Sequence, residues 1–363
     1  MLSGLNVLDL SRVLAGPLTT MLLGDLGANV VKVERPRLGD DTRGWGPPFD
    51  DRGESAYFLS VNRNKKSIAA DLGGASDRAL IRELIAGADV VVDNFRRGML
   101  ARNGFDVRTI LEEHPRLVWC TISGFGPESD RAGYDFVVQA ECGWMAITGE
   151  RDGSPMKVGV ALADVVAGKD ACIAILAALV ARDRTGRGRH VELSLAASAS
   201  AALVNVAQNA LVSGAEPVRW GNGHPNLVPY QLFEARDRPL VIAVGNDAQW
   251  IACARALGAD ALADDPSLAT NAGRAAARER VVQVLRERIR EQPSDYWIAR
   301  LDRARVPCGV VRTVLESLRD IDASPRTGVP PSVPGGVRLS PPMLDEHGAE
   351  IRARGWRAFG ERR

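Results

Sequence analysis

The stretch LNVLDLSRVLAGPLTTMLLGDLGANVVKVER, residues 5–35, holds a short β-prone run at Leu5–Leu10, apolar residues at helical spacing over Leu18–Leu26, and a β-branched run at Val30–Val33. A continuous apolar run of that kind is what a parallel strand buried on both faces carries. The order strand, helix, strand recurs downstream. The helix candidate Ala79–Ala86 leads into a strand at Val90–Val92, and Val107–Glu113 leads into Leu117–Ile122. Strands alternating with helices predict an α/β domain on a Rossmann-like parallel sheet, with ligands held in the crevice outside the carboxyl ends of its strands. Those ends are polar here: Ser11 and Arg12, Glu34 and Arg35, Asp93 and Asn94, Ser123 and Gly124.

Farther along, Val165–Arg182 reads as an Ala-rich buried helix, His190–Leu195 as a strand and Ala197–Leu211 as a second helix. Val218–Tyr230 is rich in Gly, Asn and Pro and reads as a linker or binding loop. Leu240–Val244 opens a smaller α+β unit with helices near Gln249–Leu257, Arg274–Glu291 and Pro293–Ala304. The expected division is a large domain over 1–200, a linker and loop over 201–225, a small α+β domain over 226–317, and a C-terminal segment over 318–363 that returns to the large domain.

At 363 residues the chain has room for one large or two ordinary domains, given about 100–200 residues per domain. Lys+Arg 46 against Asp+Glu 45 leaves a net charge of +1. Without a basic excess there is no electrostatic footprint for nucleic acid or an anionic membrane, and a small-molecule partner is expected. The five cysteines are widely spaced and suit neither a disulfide framework nor a metal knuckle, so a reducing cytoplasm is the expected compartment. The N-terminus lacks a basic region before an apolar core and does not read as a signal peptide. The longest apolar stretch, Ala171–Ala181, is too short to span a membrane.

There is no P-loop, HExxH, GxSxG elbow or GxGxxG after the first strand, and the four histidines are scattered, so no metal or Ser-His-Asp site is expected. Two signals remain. Arg35, Arg63 and the set Arg96, Arg97 and Arg102 fall in βα loops on one sheet edge, where guanidinium groups suit phosphates. Taken singly, each reads as a solvated loop charge. Asp164 follows an apolar run at the start of a long helix, where the helix dipole favours its ionised form and makes it a candidate nucleophile. A plain helix cap is the competing reading.

The strings LNVLDLSRVLAGP, LGDLGANVVKVERPRLGDDTRGWGPP, YFLSVNRNKKSI, ADVVVDNFRRGMLARNGFD, ISGFG, GYDFVVQAECGWMAITGERDGSPMKVGVALADVVAG and RTGRGRHVELSL resemble the class III CoA-transferases, the CaiB/BaiF family. That family includes formyl-CoA, carnitine and dicarboxylate CoA-transferases and the alpha-methylacyl-CoA racemases. The resemblance implies that Asp164 is the covalent carboxylate, that Val13, Leu14, Ala15, Arg35, Asn94, Phe95 and Arg102 bind coenzyme A, and that Tyr134 lines the same site. It places Gly221 and Gly223, in WGNGHPNLVPYQLF, at the border of the acyl site and points to the dicarboxylate branch with succinyl-CoA as donor. CoA and acyl-CoA enter as substrates, a small carboxylic acid is the acceptor, and no tightly bound cofactor or metal is implied. It also implies an interlocked homodimer.

In the racemases of this family a histidine base stands in a Gly-His-Asp motif, which here reads Gly133-Tyr134-Asp135. A phenol is a poor base at neutral pH, so the sequence favours CoA transfer over 2-methylacyl-CoA racemisation. A catalytically silent CoA-binding protein is the third reading, which retention of Asp164 disfavours. Three departures from the family pattern stand out: a shortened connection GFGPESDRAGYD, a short and basic tail after Pro342, and Lys169 one turn inside the Asp164 helix.

Overall fold

The computed structural model describes residues 1–360. Six strands form a parallel sheet in the order β3-β2-β1-β4-β5-β6, with β1 at Asn6–Asp9, β2 at Asn29–Glu34, β3 at Lys65–Ala69, β4 at Val90–Asp93, β5 at Val118–Ser123 and β6 at His190–Ser194. This is the doubly wound order, and its reversal point lies between β1 and β4. Side chains alternate between two buried faces, as the strand period of 2 requires. Val7, Val30, Val90, Val92, Val118 and Cys120 join one core, while Leu8, Val31, Val91 and Trp119 join the other.

The first core is closed by the helices Ala15–Asp25 and Leu162–Thr185, which supply Leu22, Leu23, Ala163, Ala167, Ala171 and Ile175. Gly168 lets these helices cross closely, since a Cβ there would stand 2.8 Å from the Ala15 carbonyl oxygen. At the same crossing the Thr19 hydroxyl donates to the Gly168 carbonyl at 3.0 Å.

The chain divides into two compact units, the first made of Met1–Met145, Lys157–Ala215 and Leu318–Arg363. The second, Ala146–Met156 with Glu216–Ser317, is built on an antiparallel sheet of β7 (Tyr230–Glu234), β8 (Pro239–Ala243) and β9 (Cys308–Val310). Its core is Phe233, Leu240, Ile242, Trp250, Leu285 and Trp297. Residues 146–156, assigned to the large domain from sequence, therefore pack with the small unit, and the first break falls after Ala215 rather than at 200.

Two elements also differ from the sequence reading. The helix expected over Ala197–Leu211 is broken into Leu195–Ala201 and Val204–Ser213, bent by 69°. Val204 takes a positive φ of 44° at the break. Strand β3 lies within VNRNKKSI, which the sequence had suggested was loop. Among the described residues no single helix is long and apolar enough to cross a membrane.

Candidate active site

Asp164 sits three residues into the helix Leu162–Thr185, half-buried. The helix has no side-chain cap of its own at Ala161. Its leading N–H groups are capped from elsewhere: Asp135 Oδ1 accepts from Ala163 N at 2.7 Å and from Asp164 N at 3.3 Å. Asp135 opens the helix Asp135–Glu141, and its Oδ2 takes the Gln139 amide at 2.6 Å while Gln139 Oε1 accepts from Val158 N at 2.8 Å. So Asp135 does the capping that frees the Asp164 carboxylate, and the plain-cap reading of Asp164 fails.

The electrostatics correct the expectation that Asp164 is simply held ionised. Burial, together with the Asp135 charge beside it, pushes its pKa up to about 7, against a hydrogen bond from the Ala15 backbone that favours the carboxylate. Helix N-terminus and burial compete here, and burial wins. The result is a carboxylate more basic than usual, poised near neutrality. Tyr57, in the helix Ala56–Ser60, feels the same charges: burial and then Asp164 and Asp135 push its hydroxyl up to about 12. Its ring meets Trp45 edge-on with centroids 5.1 Å apart. The sequence assigned no role to Asp135 or Tyr57, and only their approach to Asp164 reveals them.

Ala15 reaches Asp164 because of how the loop after β1 is tied. Val13, at a positive φ of 72°, donates its N–H to Asp40 at 3.2 Å. Asp40 in turn pairs with buried Lys32 at 2.9 Å. Leu14 is the N-cap residue of the helix that Ala15 begins. Asn94 spends its whole amide on the same loop, accepting from Arg12 N at 2.9 Å and donating to Arg12 O at 2.6 Å. It thereby joins the loops after β1 and β4 at the reversal point of the sheet.

A cavity of about 260 Å³ opens along these loops, lined by Arg12, Arg35, Phe95, Met99 and Asn103 among others. Arg12 lies over the Phe95 ring, 5.6 Å from its centroid. Arg35 pairs with exposed Asp41. Arg102 is exposed on the short helix Met99–Arg102 and is absent from the cavity lining. Arg63 is structural: it is buried against Asp25 at 2.7 Å and donates to the Thr327 carbonyl at 3.0 Å. Tyr134 is exposed as the N-cap residue before Asp135, its hydroxyl making no cap bond. Gly133 before it packs Cα to Cα on Gly124, leaving no room for a side chain on either. Gly221 and Gly223 line a separate cavity of the second unit. Among the described residues no cluster of His, Cys, Asp or Glu is arranged to hold a metal ion.

The sequence profile of CoA-transferase family III matches residues 2–331. The chain belongs to that family. It is 43% identical over 327 residues to the succinate–glutarate CoA-transferase of Agrobacterium fabrum, covering 88% of this chain and 82% of that one. It is 43% identical over 323 residues to the succinyl-CoA:glutarate CoA-transferase of Mus musculus, covering 88% of this chain and 73% of the mouse protein. The crystal structure of a CaiB/BaiF family protein from Brucella suis superposes with a TM-score of 0.85 at 42% identity, covering 97% of this chain and 98% of that one. The class III transferase fold and the activity expected from the sequence, CoA transfer to a carboxylic acid, both stand.

For this CoA-transferase the Asp135–Asp164 pair gives a direct expectation. Asp135→Asn keeps an oxygen to cap Ala163 but removes the charge that raises Asp164. If ionised Asp164 is the reacting form, activity in the parent protein rises with pH through about 7. In the variant the midpoint should move down by roughly one pH unit. A pH profile of kcat/KM checks it, and an unmoved midpoint separates the two carboxylates.

Proposed function

We propose that this class III CoA-transferase moves CoA from succinyl-CoA to a dicarboxylic acid through a covalent intermediate on Asp164. The observation that carries the reading is a half-buried carboxylate of raised basicity, capped by a second aspartate and receiving the Ala15 N–H. The Asp164 carboxylate attacks the thioester carbonyl, the C–S bond breaks, and CoA leaves as the thiolate. The resulting mixed anhydride is attacked at the aspartyl carbonyl by that thiolate, which expels the donor acid and leaves an aspartyl thioester. The acceptor carboxylate runs the steps in reverse. The Ala15 N–H, already bonded to the Asp164 carboxylate, remains as a donor to the oxygen on which negative charge develops.

Arg12, Arg35 and Phe95 are assigned to the nucleotide end of CoA, because their cavity offers guanidinium groups and an aromatic face on the sheet edge where nucleotides bind. Val13, Leu14 and Asn94 shape the loop that presents Ala15. Arg102 and Tyr134 are assigned to CoA by family resemblance. The named dicarboxylate transferases among the relatives support the succinyl-CoA donor. A homodimer is proposed as well, since Ile173, Val180, Leu211 and Val212 stand exposed and the helix Val204–Ser213 buries none of its residues. The interlocked form follows from the resemblance. Five free cysteines agree with work in a reducing cytoplasm.

The test is a transfer assay run in deuterated water. Carboxylate relay never touches the α-carbon, whereas a racemase exchanges the α-proton without any acceptor acid. CoA should pass readily from succinyl-CoA to dicarboxylic acids, with no enzyme-dependent α-deuteration of a 2-methylacyl-CoA. Fast deuteration with no transfer to any acid would reverse the reading.

A further inference from the structure

Within the second unit a cavity of about 720 Å³ is floored by Trp220 and bordered by Gly221, Gly223 and Gln231. Two guanidinium groups lie against the Trp220 ring, Arg278 at 4.6 Å and Arg151 at 5.7 Å from its centroid. Glu150, Glu279, Arg280 and Arg286 complete the charged lining. Arg280 behaves as a surface arginine usually does and pairs with Asp265. Arg151 and Arg278 do not: among the described residues neither is ion-paired, although Glu150 and Glu279 line the same space. The Arg278 hydrogen bond runs to the neutral carbonyl of Pro225 at 3.0 Å. Burial, and then the charge of Arg151, hold the Arg278 guanidinium below its usual range, the mark of two cations kept together without an anion. Gly221, at a positive φ of 56°, keeps the rim open, because a Cβ there would stand 3.2 Å from the Glu150 carboxylate.

We propose that this Arg151–Trp220–Arg278 cavity is a carboxylate pocket that selects dicarboxylic acids by holding the carboxylate that does not exchange CoA. Planar guanidinium groups bind a carboxylate bidentately, and an anion between them relieves their repulsion. The indole offers an apolar surface to a short methylene chain. This rests on the transferase reading for the identity of the ligand, while the unpaired arginines rest on the cavity alone.

The test uses the full-length enzyme and two acceptors of equal chain length, glutarate and valerate, with succinyl-CoA as the common donor. Arg278→Met and, separately, Arg151→Met should lower the ratio of kcat/KM for glutarate to that for valerate by roughly 10–100-fold. Arg151→Met keeps the result interpretable if loss of the Arg278–Pro225 bond disturbs the loop, and Arg278→Lys should fall between parent and Met variant. Calorimetric titration with glutarate alone should show binding to the parent protein that both Met variants weaken by the same factor. Transfer in the parent with an unchanged glutarate-to-valerate ratio in both variants would overturn the pocket. So would glutarate binding that neither variant affects, or no glutarate binding by the parent. Should the parent transfer CoA to no acid yet bind glutarate through Arg151 and Arg278, the pocket stands and the transferase reading falls.

Discussion

Asp164→Ala and Asp164→Asn are expected to reduce CoA transfer by at least about 10⁴-fold, because no other group can carry the acyl and CoA moieties in turn. Trapping supplies the positive counterpart. Parent enzyme incubated with succinyl-CoA and then hydroxylamine should carry a hydroxamate at residue 164, and borohydride should reduce the thioester there, both read by peptide mass spectrometry. Full transfer by the alanine variant would end the covalent mechanism. The loss of activity should come with a gain in stability. The pKa of Asp164 is raised from 3.8 to about 7, so between those values the folded chain binds the proton that the unfolded chain releases, and stability falls as pH rises through that window. A shift of that size corresponds to roughly 4 kcal/mol. Because Asp164 is only half-buried, about 2 kcal/mol is the expected gain for Asp164→Asn at pH 8, and little at pH 4. Thermal melts of the two proteins at both pH values check the sign.

Much of the first unit was legible because its signals are periodic. Val30, Val31 and Val33, Val90–Val92 and Val118–Ile122 are buried runs that only a doubly covered sheet accommodates. Asp164 stood out as an acidic residue just after an apolar run. Its basicity did not, since that depends on Asp135, whose carboxylate reaches Ala163 from 28 residues earlier in the chain. Sequence spacing carries no trace of such a contact. Arg63 and Arg35 looked alike as strand-end arginines, yet one is sealed against Asp25 and the other lines a cavity; what separates them is the depth of the acid each one meets. The Arg151 and Arg278 pair was equally hidden, because the residues meet only through Trp220 in the folded unit.

Strand β3 was missed for a reason that yields the second large expectation. Lys65, Lys66 and Ser67 read as exposed loop, yet Lys65 is fully buried, its ammonium donating to Asp9 Oδ2 at 3.0 Å, Pro17 O at 2.8 Å and Asn62 Oδ1 at 2.9 Å. Asp9 ends β1 and is itself buried, with Thr20 donating to it at 2.7 Å and Lys32 4.0 Å away. Burial opposes its ionisation, but Lys65 and then Lys32 hold it well below the usual carboxylate range. A polar strand is therefore placed beneath the loop after β1 because that loop's anchor needs a counter-charge. Lys65→Met should destabilise the protein by about 3–5 kcal/mol at pH 7, since it strands a buried carboxylate, whereas Asp9→Asn with Lys65→Met should recover most of that loss. The single variant's deficit should shrink toward pH 4, where the stranded Asp9 can take up a proton. Denaturant melts of the two single variants and the double variant measure the coupling, and simple additivity would mean that the pair does not hold the loop. Because Lys65 also fixes Pro17 in the first turn of the helix that presents Ala15, the single variant should lose transfer activity even where it remains folded, through displacement of the Ala15 N–H from Asp164.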